Sequence, residues 1–516
     1  MKFQKRNTRS PGIQFGLVAL ACGVGLAGAA PVDGLRVASW NISNYSGGRQ
    51  NDLWNAIYAQ FEGRSMNPDI LVCQEMLSQS AVNSLKSILN SAPGSPGDWQ
   101  AGTFINGPDT DNAVFYRTSR VEFLGVTVLP ADGTSGSPRD VNRYDLALVG
   151  YDAPSTQLAI YSVHMKAGSG STDQSRRLVE ARKIRDNAET LDPAINIMIA
   201  GDYNIQSSTQ AAYQKLVGSQ ANNNGRFADV IATPGNWNNS STYRFVHTQD
   251  PSGAGGMDDR HDQILIDPAL GDGDGLEYRG VFAQTYATTT WNDPNHSYRS
   301  WGNDGTSFNT TLTVTGNTMV GPTIAQSLKA VATNGGHLPV FFDLIVPGTI
   351  AADGSIDLGS IPFGSVVTDQ FDAGNGGNVA LWGPSGIGDI HYSLEADAGI
   401  TVPGGSFSES AGGGLNTHTF DADIATNSNG GPVSADIRIL SDDPDQPVLT
   451  IALTGTIVGC SKADFAVPFG TMDFFDVQEF LDAFANGLPE ADLTGEGEFN
   501  FFDVQEFLDQ FSAGCP

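Results

Sequence analysis

The sequence predicts an α+β protein made of a layered domain, an all-β segment and a small helical repeat. Short apolar runs rich in β-branched residues recur between 35 and 345, with helical spacing between some of them. Alternating strands separated by Gly, Asn and Asp turns fill 351–457, and a helical motif is repeated near the end of the chain. At 516 residues the chain exceeds one ordinary domain. We therefore expect three mature domains.

Residues 1–29 are expected to form a signal peptide. Four basic residues precede an apolar run over 15–28, and Ala27-Gly28-Ala29 supplies the small residues of a cleavage site. The run is shorter than the roughly 20 residues of a membrane span. The mature chain is thus expected to be secreted or held at the cell surface, with no integral membrane span. An uncleaved anchor and a lipid on Cys22 are the alternatives.

Charge is distributed unevenly along the chain. There are 57 acidic residues against 27 Lys and Arg, and the segments 345–458 and 459–516 contain only one base each. Like charges repel, so these two acidic segments are unsuited to an anionic ligand. Any anionic substrate is expected to meet the first domain.

Residues 30–346 are expected to form the layered domain. Helical spacing is clearest from Leu178 to Leu191, where apolar residues recur three and four apart among Arg and Lys. Strands are predicted at 35–42, 70–73, 113–116, 158–163, 195–200, 264–266 and 340–345.

Polar side chains stand where these strands end. Loops at the rim of a rigid sheet are a common place to assemble a site from distant parts of a sequence. Any one of these residues taken alone is better explained by a turn, a cap or a surface histidine, but the ordered set predicts a site. Its members are Asn41, Glu75, His164, Asp202, Asn204, Asp262 and His337.

The ordered set resembles the endonuclease/exonuclease/phosphatase superfamily of metal-dependent phosphodiesterases, which includes the pancreatic-type DNases. The resemblance implies a four-layer α/β/β/α sandwich, with two packed β-sheets, helices outside and an active site at one end of the sheets. The matching pieces are WNI from 40, DILVCQEM from 69, NAVFYR from 112, SVHMKA from 162, GDYN from 201, HDQILI from 261 and GHLPV from 336.

The resemblance also implies a catalytic metal. Glu75, helped by Asn41, would bind Mg²⁺ or Mn²⁺, which prefer oxygen ligands. Two positions depart from the family pattern. Gly336 precedes the last histidine, where many relatives have an Asp, and Ser43 stands where abasic-site endonucleases tend to have an acid. The site is therefore expected to hold its metal more loosely, to use one ion, or to be impaired.

The remaining roles follow from the same resemblance. Asp202 would orient and deprotonate the attacking water, and Asn204 would donate to a phosphate oxygen. His337, paired with Asp262, would stabilise the phosphorane or transfer a proton. His164 would contact the phosphate or protonate the leaving oxygen.

A nucleic acid is the expected substrate, which makes the protein a secreted nuclease. The stretch 166–177 sets a Gly and Ser loop before a basic helix that could cradle a phosphate backbone, although a solvated helix face explains it equally well. A sphingomyelinase-like phospholipid phosphodiesterase is one alternative. A non-catalytic surface or adhesion protein with a degenerate site is another.

Residues 351–458 are expected to form an all-β sandwich. The pieces IPFGSV from 361 and SDDPDQPVLTIALTG from 441 resemble immunoglobulin-like modules of bacterial surface proteins, which implies a spacer or adhesive role. The acidic residues at 442, 443 and 445 are interpreted as a turn rather than as a calcium site.

Residues 459–516 contain an internal repeat, DFFDVQEFLDAF from 473 and NFFDVQEFLDQF from 500, which predicts two helices. Before the second helix, oxygen donors and a glycine follow the spacing of an EF-hand loop and predict a Ca²⁺ site, whereas the first copy lacks donors. The predicted ligands are Asp492, Thr494, Glu496 and Asp503.

Cysteine positions agree with export. Cys460 and Cys515 bracket the last segment, and their simplest pairing is a disulfide that closes a domain too small for a large core. Cys73, in an apolar run, is expected to be a buried free thiol. The repeat resembles a dockerin-like domain, which implies a receptor on a cell surface or scaffold. A disulfide-closed helical hairpin without a ligand is the alternative.

Overall fold

The computed structural model describes residues 33–131, 139–253 and 255–515. The predicted signal peptide at 1–29 lies outside the described residues. Up to Ile345 the strands are β1 (Leu35–Tyr45), β2 (Ile70–Met76), β3 (Trp99–Ala101), β4 (Asp111–Arg117), β5 (Val121–Leu129), β6 (Val141–Leu148), β7 (Gln157–His164), β8 (Asn196–Asp202), β9 (Ala228–Asp229), β10 (Ile231–Ala232), β11 (Asp262–Ile266), β12 (Glu277–Tyr278), β13 (Gln284–Thr285), β14 (Arg299–Ser300) and β15 (Val340–Ile345). The α-helices are α1 (Gln50–Tyr58), α2 (Gln79–Ser91), α3 (Ser171–Ala188), α4 (Ala211–Val217) and α5 (Gly321–Val331).

Apart from β10 and β13, which pair with each other, these strands form two large sheets. The first has the order β12-β15-β1-β2-β4-β3, with β14 also beside β15, and the second has the order β5-β6-β7-β8-β11-β9. Most pairs are antiparallel, but β1 is parallel to β2 and β7 is parallel to β8. Parallel neighbours end at the same edge of a sheet, so the polar residues that follow them are brought together.

Buried side chains divide this region into four layers. Val37 and Ile160, from different sheets, share the core between the two sheets. The other face of the first sheet packs against α1, α2 and α5, through residues such as Leu328. The other face of the second sheet packs against α3 and α4, through residues such as Ile184. This mixed α/β arrangement agrees with the sandwich that the sequence resemblance implies.

Three of these elements, β5, β6 and α3, differ from the sequence-based expectation. The hydrophobic pattern does not single out β5 and β6, which pair along their length at one edge of the second sheet. Most of β5 is only partly buried, so its apolar residues do not form a clean pattern. Helix α3 ends at Ala188, before Leu191, which still packs against the same core from the following turn.

The rest of the chain is β-rich and then helical. Its strands form one sheet in the order β16-β18-β22-β20 and another in the order β17-β24-β23-β19-β21. They are β16 (Ile350–Ala352), β17 (Ile356–Pro362), β18 (Val367–Asn375), β19 (Ile390–Ala396), β20 (Ile400–Thr401), β21 (Ser406–Glu409), β22 (Asn416–Ala422), β23 (Gly431–Ser441) and β24 (Val448–Val458). The helices are α6 (Val379–Trp382), α7 (Phe474–Ala485) and α8 (Phe501–Ala513).

The C-terminal helices pack through equivalent phenylalanines of the repeat. The rings of Phe480 and Phe507 stack with their centroids 4.2 Å apart. The expected disulfide between Cys460 and Cys515 is present, and Cys73 is a buried free thiol, as predicted. Within the described ranges, no helix is both long and apolar enough to span a bilayer.

The β-rich region contacts the first domain near the start of β1. The Gly34 N–H donates to the Trp382 carbonyl at 2.6 Å, and the Arg120 guanidinium lies 5.2 Å from the centre of the Trp382 ring. The Tyr151 hydroxyl donates to the Pro347 carbonyl at 2.7 Å. Asn41 lies seven residues beyond Gly34, roughly 20 Å away at about 3.3 Å per residue. The β-rich region is thus attached at the end of the sheets opposite the polar strand ends.

Candidate active site

The polar strand ends of both sheets meet at one edge of the sandwich. In the second sheet, His164 on β7 is paired with Asp202 on β8, which is paired with Asp262 on β11. These three side chains therefore stand in one row across three strands. In the first sheet, Asn41 is paired with the neighbour of Glu75 on β2. The strand registers thus bring together residues that are far apart in the sequence.

Asn41 joins the two sheets at this edge. Its amide nitrogen donates to Glu75 Oε1 at 3.1 Å and to Asp202 Oδ2 at 3.2 Å. Its amide oxygen accepts a hydrogen bond from the backbone N–H of Ser43 at 3.1 Å. The nitrogen, rather than the oxygen, therefore faces the two carboxylates.

Glu75 is held by an unusual backbone. It has a φ of 61°, and its Oε2 accepts the backbone N–H of Asn44 at 2.7 Å. Ser43 and Asn44 also have positive φ, at 57° and 48°. Left-handed backbone costs a non-glycine residue about 1–3 kcal/mol, and such residues cluster at functional sites. The turn at 43–44 and the bulge at Glu75 are therefore shaped to present this carboxylate.

His337 forms a short buried pair with Asp262. Its Nδ1 lies 2.7 Å from Asp262 Oδ2, and its Nε2 lies 3.7 Å from Asp202 Oδ2. Burial alone would lower the pKa of His337, but Asp262 and Asp202 outweigh it and raise the pKa to about 10. The imidazole is therefore charged at neutral pH.

His164 differs from His337 in its surroundings and in its charge. Its Nε2 lies 3.4 Å from Asp202 Oδ2 and 3.9 Å from Glu75 Oε1, and its Nδ1 has no hydrogen-bond partner among the described residues. Burial lowers its pKa to about 4, so it is neutral at neutral pH. Two histidines a few ångströms from one carboxylate thus carry different charges.

Asp202 is the shared neighbour of both histidines. Burial alone would raise its pKa, but His337 and His164 outweigh burial and lower the pKa to about 2. Its Oδ1 accepts the backbone N–H of Asn204 at 3.0 Å. The Asn204 amide nitrogen donates to the Met165 carbonyl at 3.0 Å, which fixes its side chain beside His164. All seven predicted strand-end residues thus lie in one cluster.

Several residues that support the site were not assigned a role from the sequence. Arg260 is fully buried and forms a two-point ion pair with Asp229, with N to O distances of 2.7 and 3.0 Å. Thr248 Oγ1 accepts the backbone N–H of Asp262 at 3.1 Å. These contacts fix the start of β11. Arg260 stands at a polar strand end directly before the HDQILI piece, but nothing in the sequence marks Asp229 as its partner or Thr248 as a neighbour of Asp262.

The two departures from the family pattern lie against each other. A Cβ atom placed on Gly336 would lie 2.5 Å from Ser43 Oγ and 2.6 Å from Ala332 Cα. Gly336 also has a φ of 53°, where side chains are strained. A residue with a side chain does not fit here without movement of Ser43 or of the backbone. The close contact therefore requires glycine at 336 and a small residue at 43 together.

The donor set suits a hard divalent cation. Two carboxylates, Glu75 and Asp202, converge on one amide, and oxygen-rich sets of this kind bind Mg²⁺ or Mn²⁺. Asn41 would add its oxygen only after its amide turns.

Among the described residues, the one group of three His, Cys, Asp or Glu ligand atoms within 4.8 Å of one another is Cys460, Asp464 and Cys515. Because both cysteines form the disulfide, that group is not a metal site.

The predicted calcium loop is closed by its own hydrogen bonds. The Asp492 carboxylate accepts the backbone N–H groups of Gly495, Glu496 and Gly497 at 2.7–3.1 Å. Asp503 Oδ1 accepts the Thr494 hydroxyl at 2.9 Å. Within the described ranges, no three ligand atoms of acidic residues in this loop all lie within 4.8 Å of one another. Ion binding here therefore remains a prediction.

Comparison with known proteins finds solved structures of low sequence identity and low TM-score. No family model matches the chain, and no curated protein matches it in sequence. The human Nocturnin catalytic domain with bound sulfate is 15% identical, covers 61% of this chain and 96% of that chain, and has a TM-score of 0.35. TDP2 of D. rerio with a single-strand DNA product is 12% identical, with coverages of 60% and 98% and a TM-score of 0.36. An endonuclease/exonuclease/phosphatase from Beutenbergia cavernae is 14% identical, with coverages of 82% and 100% and a TM-score of 0.34. Likeness at these TM-scores does not establish a shared reaction, so the chemistry is inferred from the residues themselves.

Proposed function

We propose that this protein is a secreted, metal-dependent phosphodiesterase whose substrate is DNA or RNA. One observation carries the proposal. Asp202 lies between a charged and a neutral histidine, and Asn41 connects it to Glu75. Hydrolysis of a phosphodiester needs a held water, positive charge near the phosphoryl oxygens and a metal-binding carboxylate. The cluster contains a residue for each of these tasks.

Asp202 and His337 have the clearest roles. A carboxylate whose pKa is about 2 is a good hydrogen-bond acceptor and a weak base, so Asp202 orients the attacking water more than it deprotonates it. His337, held charged by Asp262, stabilises the negative charge that builds on the phosphoryl oxygens. This refines the expectation that Asp202 also removes the proton.

His164 and Asn204 complete the phosphate contacts. Because His164 is neutral, it serves as a hydrogen-bond partner of a phosphate oxygen rather than as the acid that protonates the leaving group. Asn204 is held beside it by Met165 and has a second N–H available for a phosphate oxygen. Glu75, Asp202 and, after rotation of its amide, Asn41 would hold a divalent cation, which supplies Lewis acidity when bound.

Hydrolysis of three substrates tests the proposal. The purified full chain is incubated with supercoiled plasmid, single-stranded RNA and sphingomyelin vesicles, with Mg²⁺ or Mn²⁺ and with EDTA. Glu75→Gln and His337→Ala are the test variants, and Glu62→Gln, an exposed acid beside Arg64, is the matched control. We expect metal-dependent cleavage of nucleic acid that both test variants lose. Lipid turnover alone would favour the phospholipid phosphodiesterase, and no turnover with an intact fold would favour a binding protein.

Export and attachment are the second part of the proposal. The Cys460–Cys515 disulfide supports an oxidising compartment. The β-rich region is proposed to act as a spacer, since it is attached at the end of the sheets away from the site. In this proposal the enzyme domain spans 30–346, the spacer spans 351–458 and the C-terminal repeat spans 459–516.

The C-terminal repeat is proposed to bind a receptor protein. It presents Phe474, Phe475, Phe501 and Phe502 with 60–72% of each residue exposed. Exposed aromatic groups of this kind mark interaction sites. The segment has twelve acids and one base, so a partner with a basic rim around apolar pockets fits it best.

Retention on cell envelopes tests this role. We expect the full chain to bind envelope preparations, to be released by high salt, and to lose binding in the Phe475→Ser/Phe502→Ser double variant. Val281→Ser, at a half-exposed valine in the first domain, is the control. Equal retention of both variants would contradict a role for the phenylalanines.

A further inference from the structure

We propose that Arg49 is a positioning residue that sets the geometry of the predicted metal site. This inference rests on the proposed function, because it concerns the site of that reaction. Arg49 belongs to none of the strand-end pieces that mark the site in the sequence.

Arg49 connects two segments that enter the site from different elements. One guanidinium nitrogen donates to the Ser43 carbonyl at 3.2 Å, just beyond Asn41 on β1. The other donates to the Val331 carbonyl at 2.6 Å, at the end of α5, six residues before His337. The guanidinium lies 5.0 Å from the centre of the Tyr45 ring. The side chain thus fastens the turn after Asn41 to the segment that leads to His337.

The turn at Ser43 and Asn44, which Arg49 holds in place, donates the hydrogen bonds that orient Asn41 and Glu75. The Ser43 N–H donates to Asn41 Oδ1, and the Asn44 N–H donates to Glu75 Oε2. Ser43 and Asn44 both have positive φ, so the turn is strained and needs an external restraint to keep its shape. Arg49 supplies such a restraint through the Ser43 carbonyl. Movement of this turn would release Asn41 and Glu75 together.

The same contact fixes the spacing between the turn and the glycine loop. Gly336 approaches Ser43 so closely that a Cβ would lie 2.5 Å from Ser43 Oγ. Arg49 bonds to Ser43 on one side of this contact and to Val331 on the other. It therefore holds together the half of the site that contains Glu75 and the half that contains His337. Outer residues that orient metal ligands typically contribute 10- to 100-fold to metal affinity.

Arg64 offers a matched control. Its guanidinium also donates to main-chain carbonyls, those of Thr318 and Met319, and it lies 5.6 Å from the centre of the Phe61 ring. These carbonyls precede α5, at the opposite end of that helix from Val331. Loss of Arg64 therefore removes a similar set of bonds without touching the site.

Direct Mn²⁺ binding, measured by electron paramagnetic resonance on the full chain, tests the proposal without requiring turnover. Binding that is absent in Glu75→Gln is assigned to the site. We expect Arg49→Met to weaken this binding by roughly 10- to 100-fold, Arg49→Lys to restore part of it, and Arg64→Met to leave it within about twofold.

Thermal unfolding is measured beside Mn²⁺ binding, and we expect Arg49→Met and Arg64→Met to lose similar stability. Wild-type Mn²⁺ affinity in Arg49→Met, an equal loss in Arg64→Met, or no Glu75-dependent binding in the wild type would each overturn the proposal. A chain that binds Mn²⁺ as expected and hydrolyses no phosphodiester would refute the proposed function alone.

Discussion

Asp262 and His337 lie 75 residues apart in the sequence and 2.7 Å apart in the structure, buried at the meeting point of the two sheets. Asp262 begins β11 of the second sheet, and His337 lies just before β15 of the first. Their contact therefore exists only when both sheets are packed. The site and the sandwich depend on each other through this pair.

Removal of one member of this pair is expected to damage both stability and activity. Asp262→Asn would remove the nearer of the two carboxylates that balance the buried His337 imidazolium, and loss of one partner of a buried ion pair typically costs about 3–5 kcal/mol. Phosphodiester hydrolysis should fall at least about 100-fold. Chemical denaturation and steady-state kinetics measure the two effects. The double variant Asp262→Asn/His337→Gln should regain stability but not activity; no recovery of stability would argue against an ion pair.

Asp202→Asn is expected to lower kcat at least about 100-fold with a smaller change in KM. The amide keeps the shape of the side chain but offers one acceptor oxygen where the carboxylate offers two, and it lacks the negative charge that holds the water. Asp186→Asn, at an exposed acid of α3, is the control. A loss confined to KM would mean that Asp202 binds substrate and does not assist the reaction.

Glu180 is expected to make the protein less stable as pH rises. It is buried beneath the loop at 166–168, burial raises its pKa to about 8, and its Oε1 has no hydrogen-bond partner among the described residues. Below about pH 4.5 the carboxyl is protonated in both the folded and unfolded states. Between there and about pH 8 only the unfolded state releases the proton, so the free energy of unfolding falls by up to a few kcal/mol.

Urea denaturation across pH 5 to 8 measures this effect. The Glu180→Gln variant should show a smaller fall in stability over that range than the wild type, because the group that titrates is gone. Glu122→Gln, at an exposed acid of β5, should retain the wild-type slope. Identical slopes for the wild type and Glu180→Gln would show that this carboxyl is ionised in the folded protein.

Gly336→Ala is expected to destabilise the protein by about 1–3 kcal/mol through its positive-φ backbone alone (φ 53°, ψ −161°), with a further cost from the contact with Ser43. Gly316→Ala separates the two causes, because Gly316 has a φ of 81° and open space around it. Thermal unfolding should show the larger loss for Gly336→Ala. Equal losses would mean that the contact is relieved without cost. By the same reasoning, Gly336→Asp should lower activity.

Local sequence signals were sufficient for the strands that carry the site. The runs at 70–73 and 195–200 are apolar, apart from Asn196, and contain β-branched residues because both faces of these central strands are buried. The edge strand β5 escaped notice because its partly exposed residues have no comparable signal. Hydrophobic pattern therefore predicts the centre of a sheet better than its edge.

The sequence by itself determined which side chains stand at the strand ends and where the cysteines and the repeat lie, since these follow from local pattern and spacing. Only the tertiary structure decided that the pKa of Asp202 is low and that His164 is neutral while His337 is charged. It also decided that Gly336 lies against Ser43. Burial and charge proximity set these properties, and both arise from residues far apart in the chain. The contacts of Arg49 also depend on the tertiary structure, because its two partners come together only when β1 and the end of α5 are packed.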